Sequence, residues 1–277
     1  MKKNTLWLLL ITMVLLVDCK NDYYMENNES TKILFLHHST GKNIIKGKQN
    51  KIWYKLTQKG DVTRLIRKYN IQNNTQYKFY AQNFPKKEPY GWKNYPYDYY
   101  NIWVKHAGDS LYQEEPTLEL LSKSYDVIIW KHCFPVSDIL KSNSESNIDS
   151  NIKTLENYKL QYRALKKKMH EFSDTKFIVW TPPALVKNAT TEEAAKTANL
   201  FSNWIITEWN NDNDNIFIWD FRELETEGDY YMKPEYANSA DDPHPNKTFA
   251  ARAATLFVNR ITDVIENNGK NTTLTGE

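Results

Sequence analysis

"KILFLHHSTGKNI" (residues 32–44) joins two kinds of sequence within a few positions. Ile33 to Leu36 form an unbroken apolar run, the length and type of a strand buried on both faces. His37, His38, Ser39, Thr40 and Gly41 follow without a spacer, so polar side chains begin at the strand's carboxyl end. Comparable runs recur at "DVIIWK" (126–131), "KFIVW" (176–180) and "NIFIWDF" (215–221), and "QYKFYAQ" (76–82) alternates like a strand. Helical spacing fills the intervals, at 62–70, 116–124, 152–172, 191–210 and 247–266. In 152–172, Leu155, Tyr158, Tyr162, Leu165 and Met169 share one face. Thr191 followed by Glu192 and Glu193 is good N-terminal helix chemistry.

Five apolar strands separated by helices predict an α/β domain: a three-layer α/β/α sandwich around a five-stranded parallel, flavodoxin-like sheet. Such sheets bind ligands in the crevice at the carboxyl ends of their strands. The predicted domain runs from 32 to 268, with a polar tail at 269–277. One segment breaks the rhythm. Residues 83–115 show no clear periodicity and read as a long loop insertion.

The chain has 277 residues, a net charge of +2, and no long basic run of nucleic-acid type; its lysines read as scattered among acids on a solvated surface. Aromatic residues make up 14%, with nine Trp and eighteen Tyr, more than a core alone requires. The cluster "PYGWKNYPYDYYNIW" within 83–115 is therefore expected to form a partly exposed, substrate-facing wall suited to stacking on sugars.

Lys2, Lys3 and the apolar run Leu6–Val17 have the form of a targeting segment, and the run is short of the roughly 20 residues a membrane span needs. It ends in "LVDC" and resembles a bacterial lipoprotein signal, with Asp18 an unusual residue before Cys19. The expectation is a signal peptide over 1–19, lipid on Cys19, a polar tether over 20–31, and a membrane partner reached through that lipid. The address implied is the bacterial cell envelope, outer membrane or periplasm. Cys133 is the only other cysteine, which excludes a disulfide framework, and it reads as a small buried hydrophobe.

Ser39 lies at the predicted functional rim, and Gly41 permits close backbone approach. A serine hydroxyl needs a base to become a nucleophile. "SADDPHPNKTFAARAA" supplies one: His244 sits after the last strand and before the last helix, hence on the same rim, and Asp241 three residues earlier is placed to orient it. Metal is not expected, because strand alternation points the adjacent His37 and His38 in opposite directions and the other histidines lack ligand spacing. His38 is expected to hydrogen-bond beneath the Ser39 turn and shape it. No cofactor is implied.

The first-strand Ser, the parallel alternation, the "TPP" after the fourth strand and the terminal Asp-x-x-His resemble the SGNH (GDSL-type) hydrolases over residues 32 to about 266. That resemblance implies a serine nucleophile at Ser39, a general base at His244 and an orienting carboxylate at Asp241. It also implies an oxyanion hole completed by a Gly after the second strand and an Asn after the third. This chain departs from the pattern: "HHS" replaces "GDS", and "KHCFPVSD" contains no Asn. Gly91 or Asn94 is a candidate for the second-strand element, and Lys131 or His132 for the missing donor. The function implied is an exported serine esterase acting on an O-acetylated carbohydrate or another small-molecule ester. A glycan-binding lipoprotein without catalysis and an O-acyltransferase stand as alternatives.

Overall fold

The computed structural model describes residues 30–57, 59–91, 93–140, 145–211 and 214–277. The expected signal segment, Cys19 and most of the expected tether therefore lie outside the described residues. Five strands form one parallel sheet: β1 (Lys32–His37), β2 (Lys78–Asn83), β3 (Val127–Trp130), β4 (Lys176–Trp180) and β5 (Ile216–Trp219), in the order β2-β1-β3-β4-β5. Around it the described residues form helices α1 (Ser39–Lys46), α2 (Lys51–Thr57), α3 (Asp61–Asn73), α4 (Pro96–Tyr100), α5 (Leu118–Ser122), α6 (Leu155–Met169), α7 (Glu192–Trp204), α8 (Phe221–Thr226) and α9 (Lys247–Asn267).

Strand alternation divides the core into two. Ile33, Phe35, Val127, Ile129, Ile178, Trp180 and Trp219 face the layer that contains α1, α3 and α9. Leu34, Leu36, Ile128, Trp130, Phe177, Val179, Ile216 and Ile218 face the layer of α4, α6 and α7. Both faces are covered, which is why the strands read as continuous apolar runs rather than as an alternation. Only β2 departs from this: it is a sheet edge, and all six of its residues are exposed or half-buried.

Two sequence expectations change here. The 83–115 segment is not an exposed wall. It carries α4 and a π-helical turn over Asn101–Lys105, and Phe84, Tyr95, Tyr99, Tyr100 and Trp103 are buried. Phe84 stacks on Trp103 at 5.3 Å between ring centroids, and Tyr99 meets Trp103 edge-on at 4.8 Å. Tyr95, Tyr99 and Trp103 recur every four residues, a helical spacing hidden by their polar neighbours. The 269–277 segment is likewise not a loose tail. Asp220 N–H donates to Leu274 O at 2.8 Å and Trp219 Nε1 to Thr275 O at 2.9 Å, so the chain end packs along β5.

In this strand order the connection direction reverses between β1 and β3, whose carboxyl ends flank the crevice where a doubly wound sheet places its ligand. The register sets Leu36 of β1 beside Trp130 of β3. The chain leaves the two strands side by side, toward Ser39 and Cys133.

Candidate functional site

Ser39 is the first residue of α1 and is exposed at the rim. His38, the N-cap, has an extended backbone (φ −130°, ψ −152°) and makes no side-chain cap. The first-turn N–H groups of Ser39, Thr40 and Gly41 precede the first intrahelical bond, Lys42 N–H to His38 O at 3.0 Å. They are left without intrahelical acceptors in the turn that begins at Ser39. His38 Nε2–H donates to Pro85 O at 2.8 Å, tying the residue before Ser39 to the segment that follows β2. His37 donates from Nδ1 to His38 O at 3.0 Å. Burial lowers the pKa of His37 to about 3 and of His38 to about 4, so both rings are neutral at pH 7.

Gly41 is required by packing. A Cβ there would lie 2.6 Å from His37 Cβ and 3.0 Å from Phe35 Cζ. The missing side chain lets α1 begin directly on the end of β1.

Ser39 Oγ contacts Cys133 Sγ at 3.8 Å across the β1/β3 crevice. Lys131 Nζ donates to the same sulfur at 3.2 Å, and Lys131 is fully buried, its Nζ 5.9 Å from the centre of the Trp180 ring. Asn94 O accepts from Cys133 N–H at 3.3 Å. Cys133 is thus buried, as the sequence implies, but it is also the residue through which β3 meets the serine.

His244 is half-buried on the far side of the same segment. Its ring meets Phe134 edge-on at 5.1 Å. Consecutive residues Cys133 and Phe134 therefore touch Ser39 and His244 respectively. No hydrogen bond joins Ser39 Oγ to His244.

The carboxylate bound to His244 is Asp242, not Asp241. Asp242 Oδ1 accepts His244 Nδ1–H at 2.6 Å and the His244 backbone N–H at 3.0 Å. An Asp readily closes such a ring onto the backbone two residues on, and Pro243 occupies the intervening position. Asp241 instead accepts from Asn188 Nδ2 at 3.2 Å. Burial works to raise the Asp242 carboxyl, but the two His244 N–H groups and the Asn238 amide outweigh it and hold the pKa below the usual value. Asn246 caps α9 by accepting from Thr248 N–H and Phe249 N–H, which fixes the chain just beyond His244.

The four oxyanion candidates separate clearly. Gly91 is exposed, on a loop at φ +85°. Asn94 is buried and points inward, its amide donating to Phe84 O at 2.7 Å and to the Tyr99 hydroxyl at 3.4 Å. His132 is fully buried among Tyr99, Trp130 and Tyr162, with both ring nitrogens unpartnered among the described residues, so it faces the core rather than the crevice. Burial drives its pKa well below the ordinary value. Of the four, Lys131 is the one whose side chain reaches the Ser39–Cys133 cluster, while Asn94 meets Cys133 through its backbone carbonyl.

Sequence reasoning missed Glu225. It is fully buried, accepts Ala184 N–H at 2.6 Å, and burial raises its pKa to about 8. A cavity of about 270 Å³ opens between the 186–188 and 229–234 segments, lined by Val186, Asn188, Tyr231 and Met232 among others. Asn188, which binds Asp241, is part of its wall.

Among the described residues no group of three or more His, Cys, Asp or Glu side chains is placed to hold a metal ion. Comparison of the chain with protein-family models and with curated proteins finds no match.

Proposed function

We propose that the chain is a serine esterase of the SGNH type. The observation that carries the proposal is the Asp242–His244 pair, which meets Phe134 while the adjacent Cys133 meets Ser39. With Nδ1–H held by Asp242, the His244 proton acceptor is Nε2, the nitrogen a serine base requires. Ser39 Oγ attacks the ester carbonyl carbon as its proton passes to His244 Nε2. The tetrahedral oxyanion is held by first-turn N–H groups of α1, with the positive charge of Lys131 behind Cys133. Collapse expels the alcohol, which takes the proton from His244, and leaves an acyl group on Ser39. Water, deprotonated by His244, attacks the acyl-serine; the carboxylic acid leaves and Ser39 regains its proton.

The substrate class proposed is a small acyl ester, with an O-acetylated carbohydrate the first to try. Support for a sugar now rests on the exported address implied by the sequence. Half-buried Tyr90, Tyr97 and Tyr112 remain as aromatic surface, whereas the other loop rings described are in the core.

A second reading, a binding protein without catalysis, is favoured by one observation: Ser39 Oγ contacts Cys133 Sγ and forms no hydrogen bond to His244. A fluorophosphonate probe separates the two. The esterase reading predicts covalent labelling at Ser39, located by peptide mass spectrometry and abolished in Ser39→Ala. A wild-type protein that stays unlabelled under conditions that label a control serine esterase overturns it. Transfer of acetyl to an added glycan, seen in the products, would mark the same acyl-enzyme as an acyltransferase.

A further inference from the structure

The net charge of +2 conceals an uneven distribution. Residues 42–68 hold nine Lys or Arg against one Asp, a charge of +8, so the remainder of the chain carries −6. The expectation of evenly scattered lysines fails for this segment. Lys42, Lys48, Lys51, Lys55, Lys59, Arg64, Arg67 and Lys68 are all exposed. The single acid, Asp61, is buried, ion-paired to Arg64 at 3.4 Å, and accepts Lys48 N–H and the Gln49 amide. Its charge is spent inside the segment. Lys46 registers the crowding: after burial, the nearby charges of Lys247, Lys51 and Lys42 further lower its pKa.

Helix α2 lies in the middle of this basic segment with its apolar side outward. Ile52 is 71% exposed, Trp53 56% and Leu56 77%. At 3.6 residues per turn these three share one face, Lys51 and Lys55 flank them on one side, and Tyr54 points the opposite way into the core. A helix that served only to close the fold would bury that triad. Exposed apolar side chains bordered by lysines are instead the pattern of a helix lying in a lipid interface, where Trp favours the headgroup level. No described helix is long and apolar enough to cross a membrane, and α2, with 7 residues, is long enough only to lie along one.

We propose that the outward face of α2 docks the protein on an anionic phospholipid surface, with Ile52, Trp53 and Leu56 entering the headgroup boundary and the surrounding lysines pairing with lipid phosphates. Charge complementarity selects anionic lipid over neutral lipid, and the apolar triad selects a lipid surface over a soluble polyanion. The inference is independent of the chemistry at Ser39.

The test is co-flotation of the full chain with vesicles of phosphatidylcholine alone or mixed equally with phosphatidylglycerol. Every variant carries the same residues 1–29, so any contribution of that segment cancels in the comparison. Each lysine near an anionic surface strengthens binding about fivefold. Lys51→Glu with Lys55→Glu should therefore cut partitioning onto anionic vesicles at least ~25-fold, with little change on neutral ones. Ile52→Ser, Trp53→Ser and Leu56→Ser together should abolish the gain over the segment's own binding on anionic vesicles. All five positions are exposed, so melting temperatures should stay near wild type. Brominated lipid should quench wild-type fluorescence more than that of Trp53→Phe. Equal partitioning of wild type and both variants overturns the proposal. So does single-stranded DNA binding that matches vesicle binding and survives the serine triple variant, because that result identifies a polyanion site.

Discussion

His244 Nδ1 lies 2.6 Å from Asp242 Oδ1, and the same oxygen accepts the His244 backbone N–H at 3.0 Å. One carboxylate thus fixes both the turn and the imidazole tautomer, leaving Nε2 as the proton-accepting nitrogen. Asp242→Asn removes the charge and can present an N–H to Nδ1, favouring the wrong tautomer. Ester turnover should fall ~10²-fold or more. Asp241→Asn, whose carboxylate faces Asn188, should stay within about threefold of wild type. Steady-state kcat/KM for p-nitrophenyl acetate checks both, and a larger loss in Asp241→Asn would reverse the assignment.

Gly41→Ala sets two effects against each other. Alanine in a helix gains about 1 kcal/mol over glycine. Its Cβ, however, would stand 2.6 Å from His37 Cβ and 3.0 Å from Phe35 Cζ, both in the buried end of β1. Neither can swing away, so the backbone of α1 must move, at a typical overpacking cost of 1–3 kcal/mol, i.e. about 2. The expected outcome is a net loss of stability in urea unfolding together with reduced turnover, since the displaced residues are those that carry Ser39. A stabilised Gly41→Ala protein would show that α1 is not seated so tightly.

Glu225 makes stability depend on pH. Its folded pKa of about 8 stands above the ordinary carboxyl value of 4.5. Between these values the unfolded chain gives up the proton while the folded chain keeps it, so this group's contribution is full below about 4.5 and declines as pH rises toward 8. Glu225→Gln keeps an acceptor for Ala184 N–H and cannot ionise. Its stability relative to wild type should therefore rise with pH across that window, by at most about 1.4 kcal/mol per unit, and level off above it. Unfolding midpoints measured from pH 4 to 9 would show this slope; a difference that does not change with pH would contradict it.

His37 and His38 act in the opposite direction. Their folded pKa values of about 3 and about 4 lie below the ordinary 6.5. Their neutral burial costs nothing above 6.5, and stability is lost as pH falls from there toward 4 and then 3. Replacing His38 by Gln, which retains a donor for Pro85 O, should shallow the acid limb of the same unfolding series. An acid limb as steep as in wild type would show that His38 does not contribute to it.

The parts legible in the sequence were those where burial imposes a pattern. Four of the five strands are runs such as Ile33–Leu36 and Phe177–Trp180, covered on both faces, and α6 buries one face. Ser39 and His244 were legible because chain order alone puts both on the carboxyl rim. The choice between Asp241 and Asp242 was not, since neighbouring carboxylates differ only in which way a turn rotates them. Helix α2 escaped notice because Ile52, Trp53 and Leu56 point outward and no core periodicity marks it. Tyr95, Tyr99 and Trp103 were misplaced for the converse reason: rings that pack inward sit among Asn, Asp and Lys, which look like surface. Lys131 was legible as a residue, but its burial between Cys133 and the Trp180 ring of β4 depends on a contact that no local pattern records.

The central claim is that Ser39 is the nucleophile, and its most direct measurement is p-nitrophenyl acetate turnover by wild type and Ser39→Ala at matched folded concentration. Ser39 is exposed, and among the described residues its side chain's one hydrogen-bond contact is to Cys133 Sγ, so the variant should melt within a few degrees of wild type. The account predicts wild-type hydrolysis through an acetyl-serine and a Ser39→Ala rate reduced to that of buffer. Undiminished turnover by the folded variant would contradict it.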